Sequence, residues 1–248
     1  GWTGCDNVRF RYGVPEKIGG WQPAVGTNLI GAARDIHTYT DLAGDSLAVI
    51  GTDRKLYTYY DNNFYDITPL STTIPAVFTF TSATTIVNVL ATSNGAIAGD
   101  FVTFSTVSGV SVVNITNADM QQEFEIQNIV DSNNFTIDVA SIATPGVVTT
   151  SGTAAGAAFQ INIGSDITTI GNGWGAGAWG FSTWNTPRPT GVITANPRIW
   201  QIDNFGEDII ATIAGGRTYY FDTSAFLPSR NTRATLLANA PTQSNFMV

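Results

Sequence analysis

The chain has 248 residues, of which 43% are hydrophobic and 12% are charged, and its formal net charge is −8. Its apolar content is enough for a sizeable core. No apolar run is long enough to cross a bilayer, so we expect no membrane span. Cys5 is the only cysteine, which excludes an internal disulfide and a metal site built from cysteines.

The charge is unevenly distributed along the chain. None of the 11 basic residues lies between residues 56 and 187, whereas that span holds nine of the 19 acids. Such a shift in composition indicates a separate acidic module between two more basic flanks. The bases are scattered and the net charge is negative, so tight nucleic-acid binding is disfavoured.

The first flank, residues 1–70, reads as β-structure throughout. Residues 7–12 alternate apolar side chains with Arg9 and Arg11 and are followed by a turn at Gly13. The two arginines therefore share one face of a strand, which is either solvated or paired with a neighbouring subunit. We take both as candidate interface residues.

Residues 44–70 predict an antiparallel meander. Short β-rich runs at residues 47–50, 56–60 and 64–67 are separated by turns rich in Gly, Asp and Asn. Residues 206–222 repeat the same order of glycine, acid, apolar run, turn, basic residue and aromatic strand. Two copies of a four-strand unit favour a β-propeller-like body, in which each blade packs against its neighbour.

Residues 71–162 differ from both flanks and predict an inserted small β-sandwich. Seven short strands with turn signals every ten residues or so fit such a module. Insertions cost least in loops, so its place between the two repeats fits an insert. Its segment 149–158 is composed of small residues, and we expect a mobile loop or a return linker there.

The second flank, residues 163–248, resumes the aromatic, basic composition. Four tryptophans are candidates for interface or core anchors, namely Trp174, Trp179, Trp184 and Trp200. A GxGxxG pattern at residues 175–180 lacks the βαβ context of a dinucleotide site, so no cofactor is expected. No stretch has convincing helical periodicity with caps, and residues 233–238 are the one short candidate for a helix. The chain begins without Met and ends on an apolar stretch, and we expect it to continue.

The sequence holds no convincing catalytic set. His37 is the only histidine, it lies in a predicted strand, and no nucleophile-elbow sequence accompanies it. Glu123 and Glu125 share one strand face, which fits a solvated acidic face better than a glycosidase pair. We therefore predict a protein that is not an enzyme and that needs no metal.

Several segments resemble the tail hub or nozzle proteins of short-tailed bacteriophages, also called phage DNA-stabilisation proteins. The resemblance lies in residues 6–13, 15–21 and 65–69 and, in the second flank, in residues 184–188 and 199–208. It covers the two flanks and leaves out the insert. Members of that family are usually longer than this chain.

The resemblance implies a structural protein of the phage tail in the virion. It implies a homo-oligomeric ring that contacts an adaptor and fibres, and a lumen that carries the genome during ejection. DNA would pass without specific binding, because every phosphate contact would have to be broken. We therefore expect exposed acids to line or guard the lumen, with Asp119, Glu123, Glu125 and Asp131 as candidates. Two alternatives stay open: a tail adhesin that binds host surface glycans, and a propeller hydrolase.

Overall fold

The structure is a computed structural model that describes residues 8–18, 25–141, 149–164 and 198–244. These residues form an all-β protein with two short helices, and the sequence prediction of an all-β fold built from antiparallel meanders is confirmed. The tryptophans predicted at positions 174, 179 and 184 lie outside the described residues.

A two-stranded hairpin comes first. It consists of β1 (Val8–Arg11) and β2 (Val14–Lys17). Tyr12 and Gly13 connect the strands with positive φ angles of 50° and 80°, as a tight two-residue hairpin turn requires. Nearly every side chain of this hairpin is exposed.

The first meander is a four-stranded antiparallel sheet with its strands in chain order. Its strands are β3 (Ala33–Thr40), β4 (Ser46–Thr52), β5 (Leu56–Tyr60) and β6 (Asn63–Asp66). Asp61 and Asn62 join β5 to β6 with φ angles of 48° and 61°, which Asp and Asn tolerate better than most residues. Its last three strands lie in the segment 44–70 from which the meander was predicted, and β3 precedes that segment.

The acidic segment forms a closed six-stranded barrel. Its elements are β7 (Ile74–Phe80), β8 (Ile86–Leu90), β9 (Phe101–Ser108), α1 (Asn117–Met120), β10 (Glu123–Ile129), β11 (Asn134–Asp138) and β12 (Thr149–Phe159). The strand order around the barrel is β10-β11-β8-β7-β12-β9, and β9 pairs with β10 to close it. All six strands fall within residues 71–162, whereas the division of the chain into domains at residues 70 and 162 stays a prediction.

The acidic segment was expected to form a sandwich, but it forms a closed barrel, because β12 joins its two sides. The segment expected to be a mobile loop or linker is an 11-residue strand that pairs with β7 on one side and β9 on the other. Small residues are needed there because its neighbours are close: a Cβ on Gly156 would lie 2.5 Å from Ser105 Oγ. Phe78 and Phe104 fill the interior edge to face, with ring centroids 5.0 Å apart.

The second meander repeats the topology of the first. Its elements are β13 (Trp200–Phe205), β14 (Asp208–Ile213), β15 (Thr218–Phe221), α2 (Thr223–Ser229) and β16 (Thr235–Leu236). The helix candidate at residues 233–238 is wrong, because α2 lies earlier in the chain and β16 lies within those residues. Asp222 starts α2, its carboxylate accepting a hydrogen bond of 2.8 Å from the backbone N–H of Ala225.

The two meanders pack against each other through one shared core, and together we call them the body. Leu47, Val49 and Leu56 from the first sheet meet Trp200 and Phe221 from the second. A Cβ on Gly51 would lie 2.7 Å from the Cβ of Trp200, so only glycine fits at this approach.

The first strands of the two meanders, β3 and β13, lie side by side and run in the same direction. Arg34 donates to the carbonyl of Arg198 over 2.9 Å, and three residues later His37 Nε2 lies 3.1 Å from Asn204 Oδ1. Inner strands of neighbouring propeller blades have this relation, since every blade starts from the axis.

Candidate functional site at the joint between barrel and body

The most concentrated chemistry in the described residues lies where the barrel meets the body. Lys55 sits at the end of the β4–β5 turn, and its side chain is only 3% exposed. Its Nζ donates to Asp66 Oδ2 over 2.8 Å and also to Glu123 Oε2. The same ammonium lies 3.9 Å from the centroid of the Phe101 ring, a cation–π contact. The body thus places a buried cation against two barrel residues, Glu123 and Phe101.

Arg233 supplies a second cation to the same two carboxylates. Its Nη2 lies 3.2 Å from Glu123 Oε1, and its Nη1 lies 3.3 Å from Asp66 Oδ1. Nη1 also donates to the carbonyl of Thr68 over 3.0 Å. Two cations and two carboxylates therefore alternate around a closed ring whose formal charges cancel. Burial of such a set is tolerated only when all members are paired.

The environment shifts the titration of Asp66. Burial alone would raise the pKa of its carboxyl, but the neighbouring Arg233 and Lys55 lower it and prevail. The net result is a pKa below the ordinary value of an aspartate. Asp66 therefore stays ionised around neutral pH, as the ring requires.

A second buried pair and a flanking contact complete the junction. Arg198 Nη1 lies 3.1 Å from Asp100 Oδ1, with side-chain exposures of 7% and 5%. Arg54 binds Glu125 Oε1 over 3.2 Å and donates to the carbonyl of Gly99. We call these pairs and the four-membered ring together the ionic joint, composed of Arg54, Lys55, Asp66, Asp100, Glu123, Glu125, Arg198 and Arg233.

The joint explains the uneven charge along the sequence. Residues 71–162 carry no base, and three of their acids (Asp100, Glu123 and Glu125) bind cations that the body supplies. Truncating one partner of a buried pair leaves the other charge unpaired, which costs about 3–5 kcal/mol. The arrangement therefore fixes the barrel on the body, and it offers no free nucleophile or base.

The acids singled out from the sequence have different surroundings. Glu123 and Glu125 belong to the ionic joint. Asp119 caps α1 by accepting from the backbone N–H and the hydroxyl of Thr116, and these hydrogen bonds lower its pKa. Asp131 accepts backbone hydrogen bonds from Asn133 and Asn134 in the β10–β11 turn, which lowers its pKa as well. Both aspartates are exposed, and a place along a lumen stays a prediction.

The other predicted residues are also widely separated. Arg9 and Arg11 lie on the exposed hairpin, where Arg9 Nε forms an ion pair of 3.0 Å with Glu16. Trp200 is 1% exposed and packs edge to face on Tyr219, with ring centroids 6.3 Å apart. It therefore anchors the body core within this chain. An interface made by Arg9 and Arg11 stays a prediction.

Sequence reasoning missed the cations of the joint. Lys55, Arg198 and Arg233 were part of the basic flanks, but nothing in their local sequence marks them as buried. The available signal was the charge imbalance itself, because an acidic module without a base has to find its counter-charges elsewhere in the molecule.

No group of three or more potential ligands among His, Cys, Asp and Glu stands ready to hold a metal ion in the part of the chain that the structure describes. Within the same residues, no helix has the length and apolarity that crossing a membrane would need. His37 lies on the surface of β3, with its Nε2 3.9 Å from Asp203 Oδ1.

Comparisons with known proteins give a weak structural likeness. No protein-family model matches the chain, and no curated protein sequence is similar to it. Among solved structures, the chain is similar to phage phi92 endosialidase, with 14% sequence identity and a TM-score of 0.26. The match covers 89% of this chain and 32% of that protein, so the chain spans about a third of its length. A TM-score of this size assigns neither a fold nor an activity.

Proposed function

We propose that this chain is a structural subunit of the tail of a short-tailed phage, without catalytic activity. In this role identical copies form a hub or nozzle ring, which contacts an adaptor and fibres and surrounds the path of the genome. The resemblance of residues 6–13 and 199–208 to that family motivates the role. The body of two blade-like meanders is consistent with it.

The ionic joint is the observation that carries this role. A ring that transmits a passing genome has to keep its outer modules in place, and a flexible tether would not do so. Four body cations hold three barrel acids, and the central lysine is almost completely buried. The barrel is thereby a fixed projection to which a fibre or a neighbouring subunit can attach.

Assembly of the purified full chain tests this role. Native mass spectrometry and negative-stain electron microscopy should find a closed ring of identical copies. A label on the barrel should lie at the tail in intact virions. A chain that stays monomeric at all concentrations and is absent from virions would contradict the proposal, and so would turnover of any substrate.

The proposal also concerns the passage of DNA. Asp119 and Asp131 are exposed acids on a module without basic residues, and such a surface offers no cation to neutralise a phosphate. If they face the lumen, Asp119→Lys with Asp131→Lys should slow genome ejection and make it depend more strongly on salt. Unchanged ejection kinetics in the double variant would show that these two residues do not line the lumen.

A tail adhesin that binds host surface glycans is the second candidate function. A specific observation favours it, namely an open cleft of about 590 Å³ between the barrel and the second meander. Clefts of this size commonly take small ligands. A hub subunit can also carry a receptor site, so the two functions do not exclude each other. A glycan array probed with the full chain tests the second one.

A further inference from the structure

The cleft lies where the two linkers of the barrel pass the second meander. Leu70, Ser71 and Thr72 enter the barrel along one side, and Gln160 to Asn162 return beside them. The opposite wall comes from the β14–β15 turn and β15, including Arg217 and Tyr219. The cleft is thus built by segments that are far apart in sequence and that the ionic joint holds in fixed positions.

The charge of the cleft is opposite to that of the chain. The protein has a net charge of −8, yet none of the described residues that line this space is a carboxylate, and among them Arg217 is the one ionic side chain. Arg217 is exposed, and its guanidinium makes no ion pair or hydrogen bond to any residue that the structure describes. Its backbone carbonyl accepts from Ile213 N–H over 3.3 Å, which holds the turn that carries it.

Two further donors line the same space. The ring of Tyr219 is buried against Trp200, but its hydroxyl forms no hydrogen bond with the described part of the chain. Burial raises the pKa of this phenol, with Arg217 opposing, so it stays protonated and can donate. Asn162 is exposed, and its Oδ1 accepts from Gly164 N–H over 2.8 Å, which leaves Nδ2 as a donor.

The remaining wall is partly apolar. Phe159 and Ile213 line the cleft but are only 5% and 4% exposed, whereas Leu236 is 49% exposed. This apolar surface does not discriminate between classes of ligand, so the charged and hydrogen-bonding side chains decide which class fits. A carboxylate suits the guanidinium of Arg217, and hydroxyl groups suit the amide of Asn162 and the phenol of Tyr219.

From this geometry we propose that the cleft binds a saccharide that bears a carboxylate. Arg217 pairs with the carboxylate, while Tyr219 and Asn162 donate hydrogen bonds to sugar oxygens. This inference rests on the second candidate function and gives it a site and a ligand class. It does not depend on ring formation.

The test uses the full chain and pairs of acidic and neutral sugars. Glucuronic acid with glucose, and N-acetylneuraminic acid with N-acetylmannosamine, are titrated by saturation-transfer NMR and calorimetry. At least one acidic sugar should bind about tenfold or more tightly than its neutral partner, since hydrogen bonds to charged groups are the strong ones. Arg217→Gln should remove that preference, and Tyr219→Phe should weaken binding less.

Arg11→Gln is the matched control, because Arg11 is an exposed arginine of the hairpin and is not among the residues that line the cleft. It should leave binding unchanged, and melting curves should show that all variants are folded. Equal affinity for acidic and neutral sugars, or full binding by Arg217→Gln, overturns the inference while an adhesin role stands. No binding of any sugar, on these titrations and on a glycan array, overturns both and leaves the ring proposal untouched.

Discussion

The barrel and the body deal with unpaired strand edges in different ways. The barrel closes on itself, so each of its six strands has a neighbour on both sides and its core of phenylalanines belongs to it alone. The body consists of two open sheets that bury one shared core between them. Closure makes the barrel independent in backbone hydrogen bonding, whereas each meander depends on its neighbour.

The two regions depend on each other through side-chain ion pairs and hydrogen bonds rather than through strand pairing. The barrel has no basic residue of its own, and its acids Glu123 and Asp100 pair with the body cations Lys55 and Arg198. We therefore expect two cooperative units whose stabilities are coupled through the ionic joint. Variants that act on the joint, on the body or on the barrel separate these contributions.

The largest expected effect comes from Lys55→Ala. This change leaves Asp66 and Glu123 facing each other with one cation fewer, and it should lower the free energy of unfolding by about 3–5 kcal/mol. Urea denaturation followed by tryptophan fluorescence and by circular dichroism measures it. Lys17→Ala, an exposed lysine on the hairpin, should change stability by no more than about 0.5 kcal/mol. A loss in Lys55→Ala as small as in that control would mean that the joint does not couple the two units.

Acid should loosen the joint reversibly, with a smaller effect than truncation of Lys55. The pKa of Asp66 is lower in the folded protein than in the unfolded chain, so its contribution is full above the unfolded pKa of about 3.9. That contribution is lost as the pH falls through the folded value. The free energy of unfolding should therefore drop on acidification below about pH 4.

Asp66→Asn is the variant that isolates this carboxyl. Asp119, Asp131 and Asp222 also have lowered pKa values and contribute to acid sensitivity in every variant. Asp66→Asn should be less stable at neutral pH and should show a shallower loss on acidification. An identical pH profile in the variant and the parent would show that Asp66 is not held ionised by the joint.

Gly51→Ala should disturb the body and leave the barrel intact. The added Cβ would meet Trp200 at 2.7 Å, and overpacking of this kind costs about 1–3 kcal/mol. Gly26→Ala is the matched control, since a Cβ at that position meets no atom within 4 Å. Thermal unfolding with a fluorescence readout follows the six tryptophans, of which Trp200 is the one that the added Cβ meets. Equal melting temperatures of the two variants would show that the sheets separate easily at this point.

The smallest effects come from one helix cap in each region. Thr116→Ala in the barrel and Asp222→Ala in the body each remove a side-chain acceptor for a first-turn N–H, at a cost of about 1 kcal/mol. If the regions unfold as separate units, hydrogen exchange should show the first change in the barrel and the second in the body. Thr92→Ala, an exposed loop substitution, serves as the control. Loss of protection over the whole chain in both variants would indicate a single cooperative unit.

Local sequence signals were sufficient for the meanders. The Asp61-Asn62 turn and the alternation in residues 56–60 act between neighbouring residues, so they can be read without knowing the tertiary structure. The same holds for the turn after Asp131. The all-β class followed from such signals.

The barrel closure and the joint could not be read in this way. The strand β12 consists mainly of Gly, Ala, Ser and Thr, which locally resemble a linker, and only the closeness of its neighbours requires small residues there. The partners of Glu123 are also remote, since Lys55 is 68 residues away and Arg233 is 110 residues away. Such pairings depend on the whole topology, and the charge imbalance was their only trace.

The position of the two barrel linkers determines how the barrel could be deleted or exchanged for another module. Leu70 and Gln160 pair in a single antiparallel bridge, so the chain leaves the body and returns to it at almost the same place. A short turn could join these points, and another module could be grafted there without altering the sheets. Any replacement would still have to present a carboxylate to Lys55. This requirement limits the exchange to modules that carry an acidic residue on the side that faces the body.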